Sequence, residues 1–198
     1  MSKVIVFTNL TLDGVIQAPG RPDEDLRGGF EHGGWATPYA AIAQAGESMA
    51  NIGALLLGRR TYEDFYAVWP KRKDSPFSAM LDNMQKYVAS TTLSEPLAWI
   101  NSTLLKGDAT ETVARLKGEP GKDLVIMGSG ELVRSLMRGN LVDSYVLLIH
   151  PLVLGSGRRL FTDGGTLAAL RLVGTKTTNN GVVIATYQPD EPTARKTT

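Results

Sequence analysis

Two segments of this 198-residue chain share one arrangement, in which an apolar run breaks at a glycine and becomes the start of a helix. Ala54-Leu55-Leu56-Leu57 leads into Gly58-Arg59-Arg60-Thr61-Tyr62-Glu63, and Leu124-Val125-Ile126-Met127 leads into Gly128-Ser129-Gly130-Glu131. Each reads as a buried strand feeding a helix N-terminus, where free backbone N–H groups and the helix dipole hold a phosphate. Two such ends on neighbouring parallel strands suit a ligand with two or three phosphates. Arg59 and Arg60 put positive charge at an end that is already positive, which calls for a further anion. A dinucleotide with a 2′-phosphate, NADPH, meets that description. Gly128-Ser129-Gly130 alone is equally a tight strand-to-helix turn, because both uses draw on the same glycine freedom.

Other polar residues sit at comparable places. Ser90-Thr91-Thr92 follows a strand and suits an adenosine ribose or its phosphate, or simply the turn itself. Asp13 in Thr11-Leu12-Asp13-Gly14 is a turn former or, beside a cofactor, a proton donor. His32-Gly33-Gly34-Trp35 places an imidazole and an indole in a glycine-rich loop that folds over a planar ligand, or is anchored by Trp35 in the core. Glu31 and His32 join Asp13 as candidate acids. Phe30, Trp35, Leu152 and Val153 offer planar and apolar walls for a substrate, and Arg158 or Arg159 a contact for its phosphate. His150, before Pro151 at the end of an apolar strand, reads as a satisfied core histidine.

Composition narrows the classes. The chain has 21 basic and 20 acidic residues for a net charge of +1, which argues against a broad nucleic-acid or membrane surface. It has no cysteine and two histidines, so thiol chemistry, disulfides and a multi-histidine metal centre are not expected. The first apolar run, Val4 to Phe7, is too short for a signal or a membrane span. A cytoplasmic protein is the expectation.

The elements that position these residues alternate through most of the chain. Strands are expected at Lys3–Asn9, Ala54–Leu57, Lys86–Ala89, Leu97–Ile100, Leu124–Met127 and Asp143–His150. Helices are expected at Tyr39–Asn51, Arg59–Tyr66, Pro76–Asn83, Ala109–Leu116 and Gly130–Met137. Gln17 to Thr37 reads as a long functional or mobile loop. Ala169–Thr175 and Val182–Gln188 form a hairpin about Asn180-Gly181. The fold class is α/β: a central, mixed, mostly parallel sheet with helices on both faces, ending in antiparallel strands. Residues 1–188 make a single domain and 189–198 a disordered tail. Ligands of such sheets bind outside the carboxyl ends of the strands.

Taken in order, Thr11-Leu12-Asp13-Gly14-Val15-Ile16, Leu57-Gly58-Arg59-Arg60-Thr61-Tyr62-Glu63, Val125-Ile126-Met127-Gly128-Ser129-Gly130 and Pro151-Leu152-Val153-Leu154-Gly155-Ser156-Gly157 resemble the dihydrofolate reductase-like superfamily. Within it they resemble the reductase domain of bacterial riboflavin biosynthesis, the RibD C-terminal domain, from Val4 to about Tyr187. The resemblance implies a three-layer fold with about eight strands, NADPH as hydride donor and a homodimer. It implies that Gly58, Arg59 and Thr61 meet the 2′-phosphate and pyrophosphate, and that Ser90 and Thr91 lie near the adenosine. Gly128, Ser129 and Gly130, flanked by Met127 and Glu131, would cradle the pyrophosphate, with a cis Gly128–Ser129 peptide as a candidate. Asn9, Ile16 and Asp13 would border the nicotinamide. The substrate implied is a planar heterocycle, by resemblance an aminouracil ribosyl phosphate. Folate-reducing members carry a carboxylate on the helix before the first glycine turn. Here that position falls near the apolar Ile42 or Ala43, with Glu47 the only acid on the helix, so dihydrofolate is not the expected substrate. The competing expectation is a nucleotide-binding or regulatory module without turnover.

Overall fold

The computed structural model describes residues 2–41, 52–73 and 75–190. Eight strands make one sheet: β1 Val4–Thr11, β2 Ile52–Gly58, β3 Gln85–Ala89, β4 Ser102–Leu105, β5 Asp123–Met127, β6 Ser144–His150, β7 Leu170–Thr177 and β8 Val183–Pro189. Their order is β4-β3-β2-β5-β1-β6-β8-β7. The first six are parallel, and β8 runs antiparallel to both β6 and β7. Four helices are described: α1 Arg59–Val68, α2 Pro76–Asn83, α3 Ala109–Gly118 and α4 Gly130–Arg138.

The central strands are mostly apolar because both faces are covered, with polar residues such as Thr8, Asn9, Thr11 and His150 lying toward the carboxyl ends. On one face Val4, Val6, Leu56, Ile126 and Leu147 pack under Val113 of α3 and Leu132, Val133 and Leu136 of α4. On the other, Phe7, Leu55, Leu57, Val125 and Leu148 pack under Tyr62 of α1, Leu81 of α2 and Trp99. A third, smaller cluster of Val15, Ala18, Phe30, Trp35 and Ala36 lies within the long segment after β1. That segment has no regular element before the 3-10 turn Thr37–Tyr39, yet it folds about its own core. Its glycines allow close packing: a Cβ at Gly33 would stand 2.5 Å from the Pro22 carbonyl oxygen.

The sheet carries the expected mixed, mostly parallel architecture and its antiparallel end. One expected strand is absent. Leu97 to Ile100 is irregular, and the strand beside β3 begins at Ser102. Trp99 explains the difference, since it is buried, its N–H donates to the Tyr62 hydroxyl at 2.8 Å, and its indole donates to Asp82 at 2.6 Å. Those bonds pull its backbone out of any ladder. The expected helix Tyr39–Asn51, and Ile42, Ala43 and Glu47 within it, lie almost entirely outside the described residues. At the other end, β8 runs to Pro189 and Asp190 N–H donates to the Ala169 carbonyl at 2.9 Å. Residues 191–198 lie outside the described residues. No helix among the described residues is long and apolar enough to cross a membrane.

Candidate active site

The order of the strands places β5 between β2 and β1, so the chain's path across the sheet reverses there. Open sheets of this type form a crevice at that point, beyond the carboxyl ends. A cleft of about 1770 Å³ occupies the position here. It is lined by the ends of β1 (Phe7, Thr8, Asn9), β2 (Gly58), β3 (Ala89) and β5 (Met127), and by the turns that follow them.

Helices α1 and α4 begin at this cleft. Neither has a side-chain cap, whereas α3 is closed by Asp108, whose carboxylate accepts from Thr110 and Glu111 N–H at 2.8 and 3.0 Å. Open helix starts leave first-turn donors for a ligand. The two turns are also stitched together. Ser129 N–H donates to the Thr61 hydroxyl at 3.1 Å, and Gly58 N–H donates to the Ser129 hydroxyl. These two N–H groups, expected to face a phosphate, are therefore engaged within the protein. The donors left to a ligand are those of Arg59, Arg60 and Thr61 on α1 and of Gly130, Glu131 and Leu132 on α4. Gly130 is packed so closely that a Cβ would meet Ile16 Cδ1 at 2.7 Å. The Gly128–Ser129 peptide is not cis; the turn is made instead by two successive left-handed residues, at φ +60° and +52°.

The arginines are partly engaged. Arg59 pairs with Glu63 at 3.0 Å, one turn along α1, which meets part of the demand for an anion from inside the helix. Arg60 is exposed on the cleft wall. Ser90, Thr91 and Glu131 also line the cleft, with Ser90 capping its own turn through Thr92 and Leu93 N–H. Arg134 ties Glu131 at 2.5 Å. Asn9 and Ile16 line it from β1 and the segment beyond, and Arg158 from the late glycine loop.

Several expected residues stand elsewhere. Asp13 is an anchor: its carboxylate accepts from Thr11 Oγ1 at 2.5 Å, Gly155 N–H at 2.9 Å and Leu154 N–H at 3.2 Å. Burial pushes this carboxyl upward, but those hydrogen bonds outweigh it and hold it below its ordinary value. Asp13 thus stands outside the cleft lining, holding the late glycine loop to the turn after β1. Arg159 serves the same knot, its Nε donating to the Asp13 carbonyl at 2.8 Å. Glu31 and His32 are exposed and outside the lining, with His32 set edge-on to Phe30. Phe30 and Trp35 are buried in the third cluster, where the Trp35 indole donates to the Gln17 carbonyl at 2.8 Å. Leu152 packs on that cluster and Val153 is 70% exposed, so neither forms a cleft wall.

Other residues take those places. Phe65, Trp69 and Phe77 supply the aromatic wall, with the Arg72 guanidinium over the Trp69 ring at 4.9 Å. Gln17 is buried and organises the rim: its amide donates to the Asp25 and Arg27 carbonyls, and its Oε1 accepts from Arg158 N–H. Arg21 forks onto Asp64 of α1 at 2.5 and 3.3 Å, and both residues line the cleft. Glu24 stands beside this pair and accepts Gly20 and Arg21 N–H at 2.6 and 3.0 Å. Burial, reinforced by the charge of Asp64, raises its carboxyl above the ordinary range. None of these carries a local motif; the Arg-x-x-Glu spacing within a charged loop is the only trace of the Glu24 turn in the sequence.

Comparison with known proteins agrees with this architecture. Residues 2–184 match the RibD C-terminal domain. The uncharacterized Bacillus subtilis protein YyaP is 34% identical over 143 residues, covering 69% of this chain and 73% of its own. YwjB of the same organism, also uncharacterized, is 28% identical over 88% of this chain and 91% of its own. Among solved structures, a Shewanella protein named for riboflavin biosynthesis superposes with a TM-score of 0.67 at 22% identity, over 96% of this chain and 99% of its own. A pyrimidine reductase-like protein of Corynebacterium diphtheriae gives 0.63 at 12% identity, over 96% and 92%. Dihydrofolate reductase of Enterococcus faecalis, complexed with NADP(H), gives 0.60 at 14% identity, over 96% and 97%. The fold is that of dihydrofolate reductase.

Proposed function

The chain belongs to the RibD C-terminal domain family, and from that membership together with the cleft we propose that it is an NADPH-dependent reductase of a planar heterocycle of the pyrimidine or pteridine kind. One observation carries the reading: two uncapped helix starts, joined through Ser129, open side by side onto the large cleft. Their first-turn N–H groups, with Arg59 and Arg60, hold the phosphates. Ser90 and Thr91 border the adenosine, and Asn9 and Ile16 the nicotinamide. The tight approach of Gly130 to Ile16 fits this assignment, because a side chain there would fill the cradle. When bound, the cofactor supplies the hydride.

The chain's own residues do the rest. Phe65, Trp69 and Phe77 face a planar ring and exclude water. Arg158, whose neighbour Arg159 is engaged by Asp13, is left for a phosphate on the substrate, as an aminouracil ribosyl phosphate would require. Glu24 is the proton source: its carboxyl lies in the cleft with a raised affinity for its proton. A homodimer through the exposed face of β7, where Leu172 and Val173 stand clear, completes the proposal; sedimentation showing a monomer alone would remove it.

The test is a fluorescence titration with NADPH and NADH on the parent and on Arg59→Ala and Arg60→Ala, followed by NADPH oxidation with pyrimidine and pteridine substrates. A preference for NADPH carried by one arginine supports the reading. Absence of binding by either nucleotide in the sub-millimolar range, weaker than about −4 kcal/mol, overturns it. A second reading, a nucleotide-binding module without turnover, is favoured by the placement of Asp13, Glu31 and His32 outside the cleft. NADPH binding with no substrate-dependent oxidation across the screen would select it.

A further inference from the structure

We propose that Asn9 and His150 together form a hydrogen-bond-donor site in the floor of the cleft for the carbonyl oxygen of a planar ring, with His150 the residue that positions Asn9. The proposal rests on the reductase reading for the cleft's use, but its own evidence is separate.

Asn9, two residues before the end of β1, and His150, the last residue of β6, stand on adjacent parallel strands paired as Asn9↔Leu148 and Thr11↔His150. Both side chains stand on the α1 face of the sheet, where His150 Nε2 lies 2.9 Å from Asn9 Oδ1. The imidazole is completely buried, with Trp35 and Tyr39 edge-on to it at 5.1 and 5.0 Å. Its other nitrogen, Nδ1, has no hydrogen-bond partner among the described residues. Burial lowers this histidine to about 4, so it is neutral under physiological conditions.

A neutral imidazole has one N–H and one acceptor nitrogen. Placing the proton on Nδ1 would bury an N–H with no acceptor and leave Nε2 needing a donor. Placing it on Nε2 gives the proton a partner in Asn9 Oδ1. That tautomer fixes the carboxamide, because its oxygen is taken from behind. The Asn9 NH₂ group is the part left over, and no acceptor among the described residues takes it. Asn9 lines the cleft between Thr8 and Ile16 and is half-buried. Its remaining donors therefore serve a ligand, and a ring carbonyl is an acceptor that a two-donor amide recognises in the plane of its ring. His150 is thus only half satisfied as a core residue; its work is to choose which end of Asn9 faces the cleft.

The carbonyl belongs either to the nicotinamide carboxamide or to the ring that accepts the hydride. The experiment separates these sources with three probes on the parent, Asn9→Leu, His150→Phe and His150→Gln. The probes are NADPH; 2′-phospho-ADP-ribose, which keeps the phosphates and lacks the nicotinamide; and lumazine, a pteridine dione. If the nicotinamide is the partner, Asn9→Leu and His150→Phe weaken NADPH about tenfold and leave 2′-phospho-ADP-ribose within about twofold. If the acceptor ring is the partner, the nucleotides are unaffected, lumazine shifts the ¹⁵N resonance of the Asn9 side-chain amide, and His150→Phe abolishes the shift. In either case His150→Gln, which retains an N–H donor, restores most of the effect. A merely structural histidine would weaken all probes together. The proposal is overturned if neither signature appears, or if ¹⁵N spectra place the proton on Nδ1. Failure of the parent to bind 2′-phospho-ADP-ribose would instead overturn the cofactor reading, and lumazine alone would then decide the donor site.

Discussion

Ser129 accepts the backbone N–H of Gly58 on its hydroxyl at 2.9 Å, bridging 71 residues of sequence. The same hydroxyl lies 3.0 Å from Thr61 Oγ1, which itself accepts Ser129 N–H. One small side chain thus ties together the two helix starts to which the proposed function assigns the phosphates.

Ser129→Ala should cost about 1–3 kcal/mol of folding stability, since Gly58 N–H loses its partner in a half-buried place and Thr61 keeps only its bond from the backbone N–H of residue 129. NADPH affinity should fall together with stability, because the two sets of donors no longer share a fixed spacing. Urea unfolding and NADPH titration check both. Unchanged affinity in a destabilised variant would show that the turns hold their spacing without the bridge.

Glu24→Gln keeps the shape of the turn and removes the titrating proton. NADPH-dependent reduction in the parent should decline as pH rises through the raised value of Glu24, and the variant should lose that limb with kcat reduced about 10²-fold. Cofactor affinity should be unchanged. The linked stability has a definite sign: in the window between the unfolded and the higher folded value the native state binds more protons, so this group's contribution declines as pH rises. Chemical denaturation of parent and variant across that window checks it.

Lys86 is completely buried, and its ammonium reaches the Leu81 and Met84 carbonyls at 2.6 and 2.7 Å at the end of α2, 4.5 Å from the centre of the Trp99 ring. Burial lowers it from 10.5 to about 8. Between those values the unfolded chain holds a proton that the native state has released, so stability should rise as pH climbs through the window. Lys86→Met should flatten the rise, read as the difference between the two unfolding profiles. At neutral pH it should destabilise, because the carbonyls ending α2 lose their donor.

Arg21→Ala frees the segment after β1 from α1 and leaves Asp64 without its guanidinium. Hydrogen exchange of residues 17–37 should accelerate about tenfold or more, while the sheet exchanges as before. Cofactor dissociation should accelerate with it. Equal protection in parent and variant would show that the third hydrophobic cluster holds the segment alone.

Local signals made the strands, α2 and the two glycine turns legible, because apolar runs and helix starts are written in consecutive residues. The segment Leu97 to Ile100 departs from its local signal for the same reason: it has strand composition, and the bonds that remove it from the sheet come from Tyr62 and Asp82. The two glycine turns that line the cleft could be read residue by residue. The rest of the lining could not, since Arg21–Asp64, the Gln17 bridges and the Glu24 turn join side chains that carry no shared motif. Phe30 and Trp35, aromatic residues of a type that suits a ligand wall, are the interior of the loop that bears those side chains.

The placement of β5 and β6 on either side of β1 governs how the molecule is made. Val4 must wait for Leu124, and Ile5 for Ser144, before the first strand has either neighbour. A nascent chain released as far as α3 therefore carries β1 as a strand with two bare edges, beside a β2-β3-β4 unit it cannot touch. Such late pairing makes for slow closure, and it exposes the growing polypeptide to self-association until its last third has emerged. Fragments ending before Asp123 should accumulate as aggregates, and the central sheet should lock only when β5 arrives.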